Sequence, residues 1–570
     1  MIQPSWTLSL GPVNEPIASS LAAANLAAAL RLLTALVDGG VAALVVCPGS
    51  RSAPLAQAAG LLEARGVRLV TAIDERSAGF WALGHGRALG RPVAVLTTSG
   101  TAVANLLPAA VEADWSTVPL LLLSADRPAR LKNCGANQTV NQEQFLAGSV
   151  RWLGQGDARG LAAMAADALE QLAARAMAAA QGSGGQPAGA VHLNLPFEEP
   201  LHSSPAQWQA VSTLTLEPSD ANTKAVSTPA SPSNAPGPPP LDPDRPGVVV
   251  AGPWRGAPQH WPQHVAALRR WLQRSGWPLL ADGLSGLRGE AGLEALNGYD
   301  LLLEPQPRWL GAAQVLRLGP LPASRRLQRW LAAQGGEQLV ISEGDPRRLD
   351  PLGCGTAQWP LGLASWVESL PPGIWHGTAQ ADAQALQQRW RAVDGTLQRW
   401  LDAELPLQGA LSEPAIARAL SRLLPAGLPV MLANSSPVRD WETFAAGDGA
   451  ARPMLGFRGA SGIDGTLSCA CGVAEALGQA VLVSGDLALL HDSNGWLWRP
   501  QLQGRLGVVL IDNAGGGIFE QLPIRHAPPR RRWTLSGCSP CPSPSVRGCC
   551  AQPMGSRTAA LSAWHSWTKP

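Results

Sequence analysis

The sequence predicts an α/β protein with three doubly wound domains, each built on a parallel β-sheet. Largely apolar runs recur along the chain between helical stretches, which is typical of strands that are buried on both faces of a parallel sheet. A proline-rich segment separates the first set of runs from the others. The length of 570 residues is sufficient for about three to four domains.

The first domain is predicted over residues 1–200. Its Ala/Leu-rich start from Ser20 is interrupted by Asn25, Arg31 and Asp38, a pattern that favours an amphipathic helix over a membrane span. No membrane span is therefore predicted, and no signal peptide is expected because Met1–Trp6 has no basic flank before an apolar stretch. Strands of this domain are expected at Val41–Cys47, Val67–Ile73, Pro92–Thr97, Pro119–Ser124 and Gly189–Leu195.

Residues 201–246 are predicted to be an extended linker, because a segment rich in proline, serine and alanine cannot bury enough apolar surface to fold. A central α/β domain is predicted over residues 247–375. A third α/β domain is predicted over residues 376–524, beginning with a helix over 378–403. Strands of these two domains are expected at Gly247–Gly252, Gln314–Leu318, Gln338–Ser342, Pro429–Ala433, Ala480–Ser484 and Gly507–Ile511.

Residues 525–570 differ in composition from the rest of the chain. They contain six arginines, one lysine, four cysteines and seven prolines, with no acidic residue and no apolar periodicity. We expect an irregular basic tail that leaves the third domain incomplete. The composition resembles translation in a shifted reading frame, and a lineage-specific tail is the alternative.

The tail also distorts the overall charge. Removing its seven positive charges from the net charge of +2 leaves about −5 for residues 1–524. A mildly acidic body gives no support for nucleic-acid binding. The scattered cysteines of the body are typical of a reduced, cytoplasmic protein.

A metal and diphosphate site is predicted at the carboxyl edge of the third sheet. Asp486 follows the strand Ala480–Ser484 and Asn513 follows the strand Gly507–Ile511, with a helix expected over Ser493–Gln503. Such a crossover places the two strands side by side, so the two side chains meet where ligands bind in open α/β sheets. A carboxylate, an amide oxygen and a backbone carbonyl suit Mg²⁺. The alternative is that both segments are ordinary turns.

Glu75 is a candidate general acid/base. It follows the predicted strand Val67–Ile73 in the segment Asp74-Glu75-Arg76. A partly buried carboxyl group in such a place can share a proton with a ring nitrogen. The alternative is a solvated carboxylate that pairs with Arg76.

Four arginines are expected near the ends of strands: Arg51, Arg127, Arg439 and Arg458. Each guanidinium can bind a carboxylate through two parallel hydrogen bonds, so several together indicate a substrate with several carboxylates. For any single arginine, a surface salt bridge is the alternative.

Together, these motifs resemble the 2-succinyl-5-enolpyruvyl-6-hydroxy-3-cyclohexene-1-carboxylate synthases, the MenD family of thiamine diphosphate enzymes. The resemblance covers roughly residues 20–200 and 247–524 and is absent after Ile524. It implies that 2-oxoglutarate, after loss of CO₂, is joined to isochorismate in menaquinone or phylloquinone synthesis. The segments that carry it are Cys47–Leu55, Asp74–Gly84, Thr97–Asn105, Asn137-Gln138, Arg458–Gly465, Gly485–Asn494 and Asn513–Pro523.

The resemblance also implies roles for particular residues. Glu75 would engage the pyrimidine N1′ of thiamine diphosphate, and Ile463 would hold the cofactor in its bent form. Mg²⁺ or Mn²⁺ on the diphosphate would be held by Asp486, Asn513 and the carbonyl of Gly515, with Gly485 beside the cofactor. The residues implied to contact the substrates are Ser50, Arg51, Arg127, Gln138, Arg325, Arg326, Ser435, Arg439, Arg458, Ile518 and Phe519.

In the family, the cofactor lies between the N-terminal domain of one subunit and the C-terminal domain of another, so a homodimer or homotetramer is implied. Two alternatives to this function stay open. One is another thiamine diphosphate-dependent 2-oxoacid decarboxylase or carboligase. The other is a non-catalytic product that fails to assemble because its C-terminus is aberrant.

Overall fold

The computed structural model describes residues 20–183, 185–213, 241–305, 307–406 and 411–518. The predictions for Phe519, for the basic tail and for most of the linker fall outside these residues. Within them, three sheets form, and every ladder between strands is parallel. The predicted fold class is confirmed.

The N-terminal domain is a six-stranded sheet with helices on both faces. Its strands are β1 (Leu44–Val46), β2 (Leu69–Thr71), β3 (Val93–Thr97), β4 (Leu120–Asp126), β5 (Trp152–Gln155) and β6 (Ala190–Pro196). Its helices are α1 (Leu21–Asp38), α2 (Ala53–Glu63), α3 (Glu75–Leu89), α4 (Thr101–Ala104), α5 (Leu107–Ser116), α6 (Ala166–Gln181) and α7 (Pro205–Ser212). The strand order is β2-β1-β3-β4-β6-β5. The chain therefore reverses direction across the sheet between β1 and β3, which is where such sheets open a crevice.

Helix α1 shows why this apolar stretch folds within a domain. The Ser20 side chain caps its first turn by accepting from the N–H of Ala23 at 3.3 Å. Among the described residues, α1 is the one helix long and apolar enough to cross a membrane, with a mean hydropathy of 1.5. However, Asn25 is fully buried and donates to the carbonyls of Glu198 and Pro200 at the end of the same domain. Its leucines join the N-terminal core, so α1 is an internal helix of the domain.

The segment predicted to be an extended linker contains a helix, which is a correction. Helix α7 begins with Pro205. The side chain of Ser204 accepts from the N–H of Gln207, and the side chain of Gln207 accepts from the N–H of Ser204. Val211 of α7 is buried in the N-terminal core. This capping box and one apolar anchor are sufficient to add a helix to the domain.

The central domain is a second six-stranded sheet. Its strands are β7 (Gly247–Ala251), β8 (Leu279–Ala281), β9 (Ala295–Leu296), β10 (Gln314–Leu318), β11 (Glu337–Ile341) and β12 (Ala357–Trp359), in the order β12-β11-β10-β7-β8-β9. Its helices are α8 (Trp261–Ser275), α9 (Tyr299–Leu302), α10 (Arg325–Ala333), α11 (Leu363–Ser369) and α12 (Ala381–Glu404). Helix α12 was predicted for the third domain, but its Leu386 and Trp390 are buried in a central-domain core.

The third domain has four described strands in the order β14-β13-β15-β16. They are β13 (Val430–Leu432), β14 (Met454–Gly456), β15 (Gln479–Gly485) and β16 (Arg505–Ile511). Its helices are α13 (Glu413–Leu423), α14 (Ser436–Phe444), α15 (Thr466–Leu477) and α16 (Asp486–His491). The helix predicted over Ser493–Gln503 is wrong in detail, because the crossover from β15 to β16 contains α16 and a short 3₁₀ helix at Ser493–Trp498.

Helices α3 and α15 pack directly against each other and so join the first and third domains. A β-carbon on Gly84 would lie 2.1 Å from the carbonyl oxygen of Cys469, and one on Gly472 would lie 2.1 Å from that of Trp81. Only glycine allows backbones to approach this closely. This packing places the start of α3, and with it Glu75, against the third domain.

Candidate active site

The carboxyl edge of the third sheet carries the predicted metal ligands. Strands β15 and β16 pair in register up to Gly485 and Ile511. The next residues along the two strands, Asp486 and Asp512, therefore emerge side by side, and Asn513 follows directly. The sequence prediction that Asp486 and Asn513 share one edge is confirmed by this register.

The Asp486 carboxylate is half-buried and held by backbone N–H groups. It accepts from its own neighbour, the N–H of Leu487, at 2.8 Å, and also from the N–H of Gly515. Burial and then the negative charge of Asp512 raise the pKa of Asp486. Two carboxylates converge here, which a bound cation would stabilise.

The turn after β16 presents Asn513 and Gly515. Ala514 and Gly515 both have positive φ, 62° and 92°, so the chain reverses tightly beside Asp486. The Asn513 side chain donates its amide N–H to Glu413 at 2.9 Å. Burial and then the charge of Glu413 raise the pKa of Asp440, which neighbours that glutamate, to about 7.

These residues fit a hard divalent cation. The donor set is a carboxylate, an amide oxygen and a backbone carbonyl, all of which are oxygen ligands of the type that Mg²⁺ and Mn²⁺ prefer. Within the described residues, no group of three His, Cys, Asp or Glu side chains converges as a metal site. Mg²⁺ takes six oxygen ligands, so these three protein oxygens would leave positions for waters or phosphate oxygens.

Glu75 is the first residue of α3 and is half-buried. Asp74 caps the helix by accepting from the N–H of Arg76 at 2.9 Å, which fixes where Glu75 leaves the backbone. The side chain of Asn105 donates to Glu75 Oε2 at 3.2 Å. Within the same chain, Asn494 of the third domain donates to Asp74 at 2.8 Å. The candidate acid/base thus lies beside the segment that begins with Asp486.

The loop between β14 and α15, residues 457–465, carries Arg458 and Ile463. Its backbone N–H groups at Gly459, Ala460 and Ser461 donate to the buried Glu112 carboxylate of α5 at 2.9, 2.7 and 3.2 Å. Three converging N–H groups form a small anion site that Glu112 fills. A carboxylate of the N-terminal domain therefore shapes the loop that holds Arg458 and the half-buried Ile463.

Arg51 and Arg127 come close together at the carboxyl edge of the N-terminal sheet. Arg51 donates to the carbonyl of Phe197 at 3.0 Å and to Glu199 at 2.8 Å. Arg127 donates to the side chain of Ser99 and to the carbonyl of Gln138 at 2.7 Å. Burial and then the charge of Arg51 lower the pKa of Arg127.

Gln138 and Ser50 lie at the same edge. Gln138 is exposed, has a φ of 54° and donates to the carbonyl of Ser99 at 2.7 Å. Ser50 is exposed, with its hydroxyl 3.5 Å from His202 Nε2. The residues of the N-terminal domain that were predicted to contact substrates therefore lie around Arg51 and Arg127.

A second arginine cluster lies where the central and third domains meet. Arg439 is an exposed residue, and desolvation of part of its side chain, then the charges of Arg458 and Arg325, lower its pKa. Asp300 accepts from Ser324, which precedes Arg325, and from Thr443, which is on the helix of Arg439, so these two arginines leave neighbouring backbone segments. Arg439 donates to the carbonyl of Ser435 at 2.6 Å, and Ser435 itself has a φ of 75° at the start of α14.

Arg326 differs from its neighbour Arg325. Its guanidinium donates to Asp300 at 2.8 Å and to Glu304. Arg326 is therefore paired with acidic side chains of the central domain, whereas Arg325 belongs to the arginine cluster. Ile518, the last described residue, is half-buried after the Gly515–Gly517 turn.

Sequence reasoning missed the acidic residues that support the site. Glu112, Glu413, Asp300 and Glu442 each hold a segment that carries a predicted site residue. Their partners are distant in sequence: Glu112 and Ala460 are 348 residues apart, and Glu413 and Asn513 are 100 apart. No local motif marks such pairs.

Two family models match the chain. One, described as the N-terminal TPP binding domain of thiamine pyrophosphate enzymes, matches residues 27–145. The other, described as the middle domain of thiamine pyrophosphate, matches residues 243–428. The first match spans Glu75 and the N-terminal arginine cluster, which agrees with a cofactor site at this edge.

Curated relatives share more than half of their aligned residues with this chain. A protein of Synechococcus sp. (strain RCC307) is 57% identical over 505 residues, which cover 88% of this chain and 85% of the relative. One of Synechococcus sp. (strain CC9311) is 54% identical over 511 residues, covering 87% and 86%. One of Prochlorococcus marinus (strain MIT 9313) is 53% identical over 509 residues, covering 86% and 85%. All three are named 2-succinyl-5-enolpyruvyl-6-hydroxy-3-cyclohexene-1-carboxylate synthase.

Proposed function

Because the chain belongs to the 2-succinyl-5-enolpyruvyl-6-hydroxy-3-cyclohexene-1-carboxylate synthase family, we propose that it is a thiamine diphosphate-dependent transferase acting in menaquinone or phylloquinone synthesis. Its substrates are 2-oxoglutarate and isochorismate. The 2-oxoglutarate loses one carboxylate as CO₂, and the remaining four-carbon unit forms a carbon–carbon bond to isochorismate. The products are CO₂ and the compound for which the family is named.

The observation that carries this proposal is the cluster of Arg325, Arg439 and Arg458. Like charges that face one another raise the free energy of the site, and an anion between them lowers it. A substrate with two carboxylates supplies that anion, and arginine forks bind carboxylates in bidentate fashion. Arg51 and Arg127 lie close together at the edge of the first sheet, where a second carboxylate-bearing substrate would compete with Glu199 for Arg51.

The cofactor would lie between the edges of the first and third sheets. Asp486, Asn513 and the carbonyl of Gly515 would hold Mg²⁺, or Mn²⁺, on its diphosphate, and Ile463 would support its bent form. Thiamine diphosphate, when bound, supplies the nucleophilic carbon at which an oxoacid can lose CO₂. Glu75 would hold and exchange a proton at the pyrimidine N1′, a role that its half-buried position beside Asn105 supports.

We further propose a homodimer or homotetramer in the cytoplasm, with the active site shared between subunits. This proposal follows from the family to which the chain belongs, in which the cofactor lies between domains of two subunits. Size-exclusion chromatography with light scattering measures the assembly directly. A monomer with full activity would contradict a shared site.

A coupled assay tests the proposed reaction. The purified full chain is incubated with thiamine diphosphate, Mg²⁺, 2-oxoglutarate and isochorismate, and CO₂ release is compared with the consumption of isochorismate. We expect one CO₂ for each isochorismate consumed, and little release when either substrate is omitted. Pyruvate in place of 2-oxoglutarate is the matched control, because it lacks the second carboxylate. Equal turnover of pyruvate, or release without isochorismate, would favour another thiamine diphosphate-dependent decarboxylase.

A further inference from the structure

Two consecutive buried residues of the central domain, Tyr299 and Asp300, contact the helices that carry two of the clustered arginines. They begin the short helix α9 and are 0% and 3% exposed. The Tyr299 ring lies in a core of the central domain. Its hydroxyl donates to the Glu442 carboxylate of α14, so a central-domain side chain crosses into the third domain.

Asp300 connects the start of α10 with α14. Its carboxylate accepts from the hydroxyl of Ser324 and, at 2.8 Å, from the hydroxyl of Thr443. Ser324 is the N-cap of α10 and accepts from the N–H of Leu327 at 3.0 Å. Arg325 is the first residue of that helix. Asp300 therefore fixes the point at which Arg325 leaves the backbone.

The same dipeptide fixes α14, one turn away from Arg439. Glu442 of α14 is 2% exposed. It accepts from the N–H of Gly283 and, at 3.1 Å, from Arg288, in addition to Tyr299. These bonds hold the second half of α14 against the central domain. Arg439 lies three residues before Glu442 on the same helix, so its position follows that of the anchored turn.

We propose that Tyr299 and Asp300 are positioning residues that set the distance and direction between Arg325 and Arg439, so that both guanidinium groups grip one substrate dicarboxylate. This inference rests on the proposed function. Binding is strengthened when the backbone positions of the two arginines are fixed before the substrate binds, because less ordering remains to be done on binding. The buried acceptors Asp300 and Glu442 supply that preorganisation from behind the site, without touching the substrate.

A purely structural role is the competing explanation, since the same bonds also join two domains. The two explanations differ in what they predict for substrate affinity. A structural bond lost from the interface lowers thermal stability and affects all ligands alike. A lost positioning bond weakens dicarboxylate binding selectively and has little further effect once an arginine of the pair is already missing.

The test is a double-mutant cycle on the full chain. Asp300→Asn, Tyr299→Phe and Thr443→Val are made alone and combined with Arg439→Ala. The readouts are KM and kcat for each substrate and the calorimetric affinity for glutarate, an unreactive dicarboxylate with the carbon length of 2-oxoglutarate. Asp350→Asn is the matched control, because Asp350 is a buried carboxylate of the same domain that pairs with Arg317 at 2.7 Å.

We expect each single variant to weaken glutarate binding roughly 10- to 100-fold and to raise the KM of one substrate more than it lowers kcat. In the Arg439→Ala background, the same changes should add less than about twofold. Asp350→Asn should leave glutarate affinity unchanged. Tyr299→Phe and Thr443→Val keep the fold intact even where Asp300→Asn destabilises it, because each removes one hydroxyl and conserves the packed shape.

Two results would overturn the inference. If Arg439→Ala abolishes glutarate binding but Tyr299→Phe, Thr443→Val and Asp300→Asn leave it unchanged, the proposed function stands and the positioning role fails. Losses that add fully to that of Arg439→Ala would also exclude positioning. If the unchanged chain does not bind glutarate or 2-oxoglutarate, the proposed function and this inference both fail.

Discussion

Asn513 donates its side-chain amide to Glu413 at 2.9 Å. Because the carboxyl oxygen of Glu413 accepts here, this contact turns the amide nitrogen of Asn513 toward Glu413 and its oxygen away from it. The oxygen is the atom that a metal ion requires. Glu413 thus selects the orientation of a predicted metal ligand, although it lies 100 residues earlier in the chain.

Glu413→Ala should therefore weaken the binding of Mg²⁺ and thiamine diphosphate by about 10- to 100-fold, the usual effect of removing a residue that orients a metal ligand. Glu413→Gln should have a smaller effect, because its amide oxygen still accepts a hydrogen bond. Calorimetric titration of the cofactor with Mg²⁺ measures both. Asp402→Asn is the control. It also removes a carboxylate that bonds to helix α13, through Arg418 and Arg422, but this carboxylate does not contact Asn513. An unchanged affinity in Glu413→Ala would show that Asn513 does not depend on it.

Asp486→Ala should weaken Mg²⁺ and thiamine diphosphate together. Asp486 is the charged oxygen donor of a small ligand set, so its loss affects the cation most. Titration of each ligand in the presence and absence of the other checks this. If cofactor affinity stays at the level of the unchanged chain, the anchor lies elsewhere.

Glu75→Gln should abolish turnover and leave the fold intact. The amide cannot exchange the proton that the carboxyl group shares, and loss of general acid–base catalysis typically costs about 10²- to 10⁴-fold. Turnover is compared with cofactor affinity and with the circular dichroism spectrum. Near-normal activity in Glu75→Gln would remove Glu75 from the mechanism.

Arg51→Ala and Arg439→Ala should each raise the KM of a carboxylate substrate more than they change cofactor binding. Each change removes a charge-assisted contact worth about 1.5–3 kcal/mol. Steady-state kinetics with each substrate varied in turn is the measurement. A uniform loss for both substrates and for the cofactor would indicate misfolding instead.

The buried Glu442 predicts a pH dependence of stability. Burial and then the charge of Asp282 raise its pKa to about 8, despite the opposing effects of Arg288 and Tyr299. The pKa of an unfolded glutamate is ~4.3. Between that pH and the folded pKa, the folded chain keeps a proton on Glu442 that the unfolded chain has lost. The free energy of unfolding should therefore fall as pH rises toward 8.

Glu442→Gln should flatten this part of the profile, because the amide does not titrate. Thermal midpoints measured by circular dichroism between pH 5 and pH 8.5 test the prediction. Asp402→Asn again serves as the control. If the Glu442→Gln profile runs parallel to that of the unchanged chain, Glu442 is ionised in the folded state.

The sequence was sufficient to predict strands that lie within longer apolar runs, including the three-residue β1 and β13, but not short strands without such a run. Strand β4 (Leu120–Asp126) is fully buried, and such a run is recognisable because both faces must be apolar. Strands β9 and β14 have only two and three residues. A segment this short has no periodicity of its own, and its neighbours in the sheet decide its conformation.

The residues of the site likewise divide into those that the sequence predicts and those that only the structure reveals. Glu75, Asp486 and Asn513 could be predicted because each follows an apolar strand. Asp300 could not, because what defines its role is contact with Ser324 and Thr443, and Thr443 lies 143 residues away. A sequence shows which residues carry chemistry more readily than it shows which residues hold them in place.

Tyr299 is the single tyrosine among 570 residues, and it lies at the junction of the central and third domains. Fluorinated tyrosine incorporated into this chain would therefore label one position and give one fluorine resonance without any mutation. Its hydroxyl touches Glu442 on the helix that carries Arg439, so that resonance would report directly on whether the substrate-gripping helix is docked. A single position for a magnetic reporter thus lies at the junction between two domains.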